Sequence, residues 1–405
     1  MGKMIQTDLF NEQKDELQQA HLNAWVSNGY KGTSIAATGL GKTRIGILAI
    51  QNTLGRDPKK SALVIVPTEN LRDNEWVSEF QTWNLDHLLP QVEFMCIQSA
   101  YKLAGHHWDI VIVDEVHTTL STVYRNFYEN NLWERMYCFT ATPPENKEYF
   151  TYLHEHAPII KVTNLNEARK LGIVSPYTVY NLGVSFTPEE ALEYNRVDKI
   201  LQECTDELGG PFNAFKNAGK FMKSSNHPKK KISIIYYKMM NKRKQMCFNA
   251  FSKLVMVKKL TDKFPDRKTL IFSESIEFAE QIQTVINGSS GTDCSVFHSK
   301  MHKKDRKEVL ECFGDEDGVR VLSSVKALNA GLNVPDCSLG ICVAGSSKAL
   351  DSIQRTGRTL RLKNGKKAIY VNLYIKGTQE LKWVRKRVKS DYTVKWIDDI
   401  SEIEY

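Results

Sequence analysis

The sequence predicts an α/β protein with two parallel-sheet domains in tandem and a helical insert, or connector, between them. Short β-branched runs alternate with helix-like segments over residues 15–160, and the same alternation returns after about residue 265. Such alternation is typical of βαβ units, whose crossover helices leave the strands parallel. The stretch between them, about 176–263, has a helix-like and basic pattern instead. We therefore expect two sheet domains rather than one.

The predicted elements follow in chain order. Strands of the first domain are expected at Ser34–Ala37, Ala62–Pro67, Val92–Ile97, Ile110–Val113 and Met136–Thr140. Strands of the second are expected at Thr269–Ser273, Ser295–Phe297, Arg320–Ser323, Leu339–Val343 and Ala368–Val371. In the insert, Thr187 followed by Pro188 predicts a helix start, and Ile232–Lys263 predicts one or two long basic helices. We place the domains at 1–165, 166–263 and 264–405.

Composition narrows the class of protein. The 405 residues are 41% apolar and 25% charged, which suits two or three globular domains. No apolar stretch approaches the ~20 residues that span a bilayer, and Met1–Phe10 lacks the apolar region of a secretory signal, so a cytoplasmic protein is expected. Eight scattered cysteines form no C-x-x-C pair, which disfavours a zinc ribbon. The net charge of +8 is compatible with a polyanionic partner.

A glycine-rich segment indicates a phosphate-binding loop. It comprises Ala37, Thr38, Gly39, Leu40, Gly41, Lys42 and Thr43. Glycines let backbone N–H groups turn inward, the lysine would reach the β- and γ-phosphates, and the threonine hydroxyl would hold Mg²⁺. The strict pattern has glycine where this chain has Ala36. The alternative is a glycine-rich turn with an incidental lysine.

Two acidic residues follow a buried apolar strand. Asp114 and Glu115 come directly after Ile110–Val113, at the carboxyl end where open α/β sheets bind ligands. Asp114 is the oxygen ligand that a nucleotide-bound Mg²⁺ needs, and Glu115 could orient and deprotonate an attacking water. The alternative is a solvated acidic turn. The phosphate loop about seventy residues earlier favours the functional interpretation.

Ordered motifs along most of the chain resemble those of superfamily 2 helicases and translocases. The matching segments are Ala37–Thr43, Pro67–Leu71, Ile97–Tyr101, Asp114–His117, Thr140–Pro144, Leu270–Ser273, Phe297–Lys300, Val321–Ser324, Gly331–Asp336 and Gln354–Arg361. The resemblance implies two RecA-like domains that bind ATP and Mg²⁺ in the cleft between them. It also implies that His117 couples the domains rather than binding a metal.

Further site residues are implied by the same resemblance. Arg358 and Arg361 would act as arginine fingers, Gln354 would touch the γ-phosphate or water, and Gly331 and Asp336 would lie near nucleotide and nucleic acid. The alternative for the arginines is a basic helix surface.

An adenine-reading glutamine is also expected from the resemblance. Gln18 precedes the phosphate loop by about twenty residues, with Leu17 in place of the usual aromatic residue. An exposed helix glutamine is the alternative.

Residue types that can contact backbone phosphates occur in the segments that resemble the nucleic-acid-binding motifs of the superfamily. They are Pro67, Thr68, Ser99, Tyr101, Ser273 and Ser324, and the basic run Lys229, Lys230 and Lys231 adds charge. Phe221, Tyr236, Tyr237 and Phe248 interleave with lysines, a pattern that favours nucleic acid. Ordinary loop and cap chemistry, or a solvated basic face, is the alternative.

The connector indicates which helicases are most similar. Ala157–Ile160, Glu167-Ala168 and Gly172–Tyr177 resemble the connector of XPB-like, type III restriction-like and phage branch-migration helicases. The resemblance implies an ATP-dependent DNA helicase or translocase, with forked or branched DNA as a candidate substrate. The alternatives are an RNA helicase, a translocase that moves on duplex without unwinding, and a non-enzymatic nucleic-acid-binding module.

Overall fold

The computed structural model describes residues 2–37, 39–69, 71–141, 143–144, 146–171, 177–224, 226–288, 293–325, 337–345, 368–387 and 394–404. Within these residues the chain forms two compact units, one up to residue 171 and the other from residue 177 onward. Each unit has its own parallel sheet with helices packed against it, which confirms the predicted fold class.

The first unit is built on six parallel strands within the described residues. They are β1 (Lys31–Ala36), β2 (Ala62–Val66), β3 (Val92–Cys96), β4 (His107–Val113), β5 (Leu132–Thr140) and β6 (Ile159–Thr163). Their order across the sheet is β3-β2-β4-β5-β1-β6. This order puts the carboxyl ends of β1, β5 and β4 side by side. The phosphate loop follows β1, Thr140 is the last residue of β5, and the two acids follow β4.

Helices of the first unit cover both faces of this sheet. They are α1 (Gly2–Ser27), α2 (Lys42–Leu54), α3 (Trp76–Thr82), α4 (Ile97–Ala100), α5 (Asn126–Asn130), α6 (Lys147–His156) and α7 (Leu165–Lys170). A π-helical turn spans Leu71–Glu75, and 3₁₀ turns span Asp86–Gln91 and Val116–Thr118. Alternate strand residues point to opposite faces, so Val64 joins the core under α1 to α3, whereas Leu63 joins the core under α4 to α6.

The second unit contains seven parallel strands within its described residues. They are β7 (Tyr177–Val184), β8 (Thr269–Ser273), β9 (Cys294–Phe297), β10 (Val321–Val325), β11 (Leu339–Cys342), β12 (Ala368–Ile375) and β13 (Val394–Ile397). Their order is β13-β7-β12-β11-β8-β10-β9. The five predicted strands correspond to β8 to β12, whereas β7 and β13 had no prediction.

Helices of the second unit include a basic group that lies between β7 and β8 in the sequence. The helices are α8 (Pro188–Glu207), α9 (Ala214–Lys223), α10 (Lys230–Phe248), α11 (Phe251–Lys263), α12 (Ile276–Asn287), α13 (Lys303–Gly314) and α14 (Glu380–Arg387), with a 3₁₀ turn at Ile400–Glu402. Thr187 caps α8 through a capping box with Glu190, as the helix start predicts. The three helices α8, α9 and α10 share a small core of their own, which we call the insert core.

The predicted connector contributes to the second sheet. β7 pairs with β12 over eight residues, and a buried amide pair joins Asn181 to Asn372 at 2.8 Å. α11 packs into the main core of the second unit through Leu254, Val257 and Leu260. The boundaries at 165/166 and 263/264 stay a prediction about sequence domains. In the structure, residues 177–184 and 251–263 pack with the second sheet, because their apolar faces have no core of their own.

Candidate nucleotide site

The loop between β1 and α2 has the geometry of an anion cradle. Gly39 and Gly41 have φ angles of 92° and 89°, in the left-handed region that favours glycine. α2 begins at Lys42, and Gly41 at its N-cap supplies no side-chain cap to the first helical turn. Backbone N–H groups at such an end carry partial positive charge and point outward. A phosphate group therefore fits this end of α2.

A buried glutamine holds the loop from behind. Gln18 of α1 is 1% exposed; its Nε2 donates to the carbonyl of Leu40 at 2.6 Å, and its Oε1 accepts from Arg44 Nη1 at 2.8 Å. A Cβ at Gly41 would lie 2.4 Å from Gln18 Nε2, so a larger residue there would displace the Gln18 amide from its contact with Leu40. Gln18 is thus a buried loop anchor in this structure rather than an exposed helix residue. Its adenine-reading role stays a prediction.

The lysine of the loop meets the acidic pair after β4. Lys42 Nζ lies 2.6 Å from Glu115 Oε1, and both side chains are about 15% exposed, at 14% and 15%. Asp114 is buried beside them and accepts the backbone N–H of Glu115 at 2.9 Å. Burial, followed by the charge of Glu115, raises the pKa of Asp114 to about 6. A positive charge close to Asp114 would offset both effects, so the site suits a cation.

Glu115 is held from its other side by the end of β5. Its Oε2 lies 3.4 Å from His117 Nδ1 and 3.5 Å from Thr140 Oγ1, while His117 Nδ1 and Thr140 Oγ1 are 2.9 Å apart. The backbone of Glu115 has a φ of 49°, a strained conformation for a residue other than glycine. Both carboxylate oxygens of Glu115 are thereby oriented by neighbours from two different strand ends.

The structure brings together part of the predicted nucleotide set. Gln18, Leu40, Gly41, Lys42, Asp114 and Glu115 form one continuous site, with Gly39 in the same loop and Thr43 buried in the first turn of α2. Thr38, Gly331, Asp336, Gln354, Arg358 and Arg361 lie outside the described residues. Within the described part of the chain no cluster of three His, Cys, Asp or Glu side chains is suited to holding a metal.

Two site residues were missed by the sequence reasoning. Arg44 lies with its guanidinium carbon 3.7 Å from the ring centroid of Trp83 and bridges to Gln18 and Asp15. Thr140 orients Glu115 and His117 but was assigned only to a motif. The position of Arg44 directly after Lys42 and Thr43 was the available signal for the first.

The predicted nucleic-acid residues are more dispersed. Ser273 and Ser324 are 4% and 1% exposed, so the packing does not support direct phosphate contacts by their hydroxyls. Ser99 lies in α4, and the ring of Tyr101 packs on Tyr124 with centroids 5.5 Å apart. Thr68 follows β2 and Pro67, and its hydroxyl is buried without a hydrogen-bond partner among the residues that the structure describes. These contacts stay predictions.

The basic run at the start of α10 is partly used inside the protein. Lys229 Nζ donates to the carbonyl of Glu207, at the end of α8, and Lys230 is half-buried, whereas Lys231 is exposed. Of the interleaved aromatic residues, Tyr236 and Phe248 are buried. Aromatic residues that pack inside cannot stack on bases, so this part of the interleaving reflects the core.

Comparison with known proteins agrees with this architecture. The model of the type III restriction enzyme res subunit matches residues 6–145, and that of the helicase conserved C-terminal domain matches residues 252–363. The two matches fall on the two parallel-sheet units. The chain is a superfamily 2 helicase. Within this superfamily it is of the XPB-like and type III restriction-like kind. This helicase hydrolyses ATP and binds nucleic acid.

Individual relatives differ in how much of this helicase they cover. The DNA 3'-5' translocase XPB2 of Sulfurisphaera tokodaii is 24% identical over 388 residues, 92% of this chain and 84% of that protein. The pre-mRNA-processing ATP-dependent RNA helicase PRP5 of Meyerozyma guilliermondii is 32% identical over 111 residues, 26% of this chain and 13% of that protein. The Hef helicase domain of Pyrococcus furiosus has the same fold, with a TM-score of 0.58, 17% identity and coverage of 93% of this chain and 97% of that chain.

None of the helices in the described residues has both the length and the apolar character that a bilayer crossing requires.

Proposed function

We propose that this helicase couples ATP hydrolysis to movement along DNA, with separation or migration of strands. The observation that carries the proposal is the contact between Lys42 and Glu115 at 2.6 Å, with Asp114 buried beside it. A lysine, a metal-binding carboxylate and a base converge there on the outward-pointing amides of α2. That set is what transfer of a phosphoryl group to water requires.

The residues present fit ATP and Mg²⁺. The left-handed glycines leave the loop open to a phosphate, and the amides at the start of α2 supply donors. Thr43 and Asp114 would hold Mg²⁺, and Lys42 would turn from Glu115 to the phosphate oxygens. The bound nucleotide supplies the phosphoryl group whose transfer to water releases free energy.

Glu115 would act as the general base. One carboxylate oxygen is paired with Lys42 and the other faces Thr140 and His117, so the carboxylate has a defined orientation. When Lys42 turns to phosphate, Oε1 becomes able to accept a proton from water. Thr140 and His117 would keep the carboxylate in place during that exchange.

The remaining members of the predicted site complete the proposal from sequence. Arg358 and Arg361 would neutralise the charge that develops on the transferring group, and Gln354 would orient water or the γ-phosphate. Thr38, Gly331 and Asp336 would contact the nucleotide. Each of these assignments rests on the motif resemblance.

DNA is the favoured substrate because of the extent of the similarity. The relative described as a DNA translocase aligns with 92% of this chain, whereas the relative described as a pre-mRNA-processing RNA helicase aligns with 26%. ATPase rates measured with single-stranded DNA, forked DNA, a four-way junction and RNA would separate the two substrates. Stimulation by RNA alone would contradict the proposal.

Lys42→Ala tests the phosphate site directly. We expect this variant to keep its fold and lose ATP turnover, because the loop loses its phosphate-binding cation. The matched control is Lys59→Ala, since Lys59 is an exposed lysine outside the site and its loss should leave turnover unchanged. ATPase activity retained by Lys42→Ala would remove the loop from the proposed role.

Strand displacement distinguishes unwinding from movement on duplex. Labelled forked and four-way DNA should release strands when ATP is added, and a triplex-forming strand on a blunt duplex reports movement without unwinding. Displacement of the triplex strand alone would favour a duplex translocase, the main alternative within this enzyme class.

A further inference from the structure

One long segment of the chain is strongly basic. Residues 208–261 contain no aspartate or glutamate and carry 13 of the 55 lysines and arginines. The other 42 basic residues face 47 acidic ones, so the remainder of the chain is net negative by five, although the whole chain is +8. The segment covers α9, α10 and most of α11. This segment therefore attracts polyanions.

Many cations of this segment already have partners inside the protein. Lys242 and Arg243 of α10 form ion pairs with acidic side chains of α8, and Lys229 donates to a carbonyl at the end of α8. Lys253 of α11 is fully buried in a salt bridge. These four cations stabilise the packing of the helices rather than serving a ligand.

The cations of α9 are different. Lys216, Lys220 and Lys223 are exposed, and none forms an ion pair with the residues that the structure describes. At 100° per residue they form one stripe along two turns of the helix, about 10 Å long. Directly beside this stripe runs an apolar one that contains Phe215 and Met222, which are 61% and 41% exposed.

An ordered turn extends the apolar stripe beyond the helix. Phe212, just before α9, is 97% exposed. The turn that carries it is held by Gly210 N–H, which donates to the Thr205 carbonyl at 2.9 Å, and by Asn217 Nδ2, which donates to the Leu208 carbonyl at 2.8 Å. One backbone and one side-chain hydrogen bond therefore order the turn that presents this ring.

The opposite side of α9 anchors the helix. Ala214 and Ala218 are fully buried in the insert core, which prevents rotation of the exposed stripes inward. The ring of Phe215 also packs edge-to-face on Tyr237 of α10, with centroids 5.7 Å apart. The exposed ring of Phe215 thus has a rigid support, as a stacking surface requires.

We propose that this α9 face, composed of Phe212, Phe215, Met222, Lys216, Lys220 and Lys223, binds an unpaired DNA strand. The aromatic rings would stack on bases while the parallel lysines contact phosphates, the combination that suits single-stranded nucleic acid. Bases within a duplex present no free face to an aromatic side chain, which favours an unpaired strand. The inference rests on the proposed function and adds the surface that receives the strand.

Two sets of substitutions separate stacking from charge. Phe212→Ala with Phe215→Ala removes the rings, and Lys216→Gln, Lys220→Gln and Lys223→Gln together remove the charges. Matched controls are Leu192→Ala, an apolar residue 74% exposed on α8, and Lys304→Gln with Lys307→Gln, whose side chains on α13 are 86% and 78% exposed. The probes are an oligothymidylate of about 20 nucleotides, an abasic strand of equal length and a blunt duplex.

Affinity for the thymidine strand should fall by roughly 5- to 150-fold for each lost stacking contact in the phenylalanine variant. Affinity for the abasic strand and the duplex should hardly change in that variant. The lysine variant should bind all three probes more weakly, with the slope of log affinity against log salt smaller by about 2 on single strands. An oligonucleotide carrying 2-aminopurine should lose its binding-dependent fluorescence change in the phenylalanine variant.

Wild-type affinity in all binding tests, with normal basal ATPase, would overturn the inference while leaving the proposed function standing. A wild-type protein without DNA-stimulated ATPase would instead refute the proposed function. Unchanged DNA binding with altered self-association of the phenylalanine variant, seen by analytical ultracentrifugation, would reassign the α9 face to protein contacts and likewise overturn the inference.

Discussion

Replacement of Lys253 by methionine should destabilise the second unit through the charge that it leaves behind. Lys253 Nζ donates to both oxygens of Glu380, at 2.8 and 2.9 Å, and to the carbonyl of Val343 at 2.7 Å. The two side chains are 0% and 3% exposed. Methionine fills a similar volume but leaves the Glu380 carboxyl group in the core without its counter-ion, with the N–H of Ile375 as a remaining donor.

The size of the effect follows from this burial. Removal of one partner of a buried ion pair costs about 3–5 kcal/mol, because the other charge loses both water and its counter-ion. In a domain of this size each kcal/mol lowers the melting temperature by about 2–4 °C, so a fall of roughly 6–20 °C is expected. Adding Glu380→Gln removes the stranded charge and keeps an acceptor for Ile375. The double variant should therefore recover most of the lost stability.

Hydrogen–deuterium exchange provides the assay. Peptides that cover α11 and β12 should exchange faster in Lys253→Met, while peptides that cover β2 in the first unit act as an internal control. The double variant should exchange at close to the wild-type rate. A double variant as unstable as the sum of its two single variants would refute the reasoning, since the cost would then come from packing and not from an unpaired charge.

Three further perturbations test the first unit. Gly41→Ala should weaken binding of a fluorescent ATP analogue, because the new Cβ would lie 2.4 Å from Gln18 Nε2. Gly55→Ala is the matched control, since Gly55 also has a positive φ but has open space around it. Equal losses of binding in the two variants would show that the clash with Gln18 is not the cause. Glu115→Gln should bind ATP yet hydrolyse it about 100-fold or more slowly, and normal turnover in a single-turnover assay would remove the base role. His21 is buried, and burial, followed by the charge of Lys161, lowers its pKa to about 4. Because this folded-state pKa lies below the unfolded value of about 6.5, the stabilising contribution of the neutral imidazole is complete above pH 6.5. The free energy of unfolding should fall by up to roughly 3 kcal/mol as the pH drops to 4. His21→Gln should flatten that dependence in urea titrations, and an unchanged slope would count against a buried neutral imidazole.

Local sequence was enough to predict that the phosphate loop and the two acids lie at neighbouring strand ends. The loop at Gly39 to Thr43 and the acids after β4 are each coded by a short segment, and a parallel sheet necessarily gathers the carboxyl ends of neighbouring strands. The orientation of Glu115 by Thr140 could not be predicted, because it depends on the pairing of β4 with β5. Strand order is a property of the whole domain.

In the helical insert, by contrast, the exposed aromatic residues could not be predicted from the sequence. Phe221, Tyr236 and Phe248 drew attention as aromatic residues among lysines, yet Tyr236 and Phe248 are buried and Phe221 packs against the insert core. Phe212 and Phe215 carry the exposed rings instead. Composition cannot tell which side of a helix faces a core when that core is formed by other helices of the same insert. β7 was not predicted for a related reason, since its partner β12 lies almost two hundred residues later in the chain.

The last strand has a practical consequence for anyone who handles this protein. β13 flanks β7, Ile403 lies in the main core, and Lys263 Nζ donates to the carbonyls of Ile400 and Ile403 at 2.6 and 3.0 Å. Truncation before residue 394 would uncover β7 as a sheet edge, and bare edges recruit other chains. Affinity tags and fluorophores are therefore better fused ahead of α1, and shortened versions should keep residues 394–404 if they are to stay soluble.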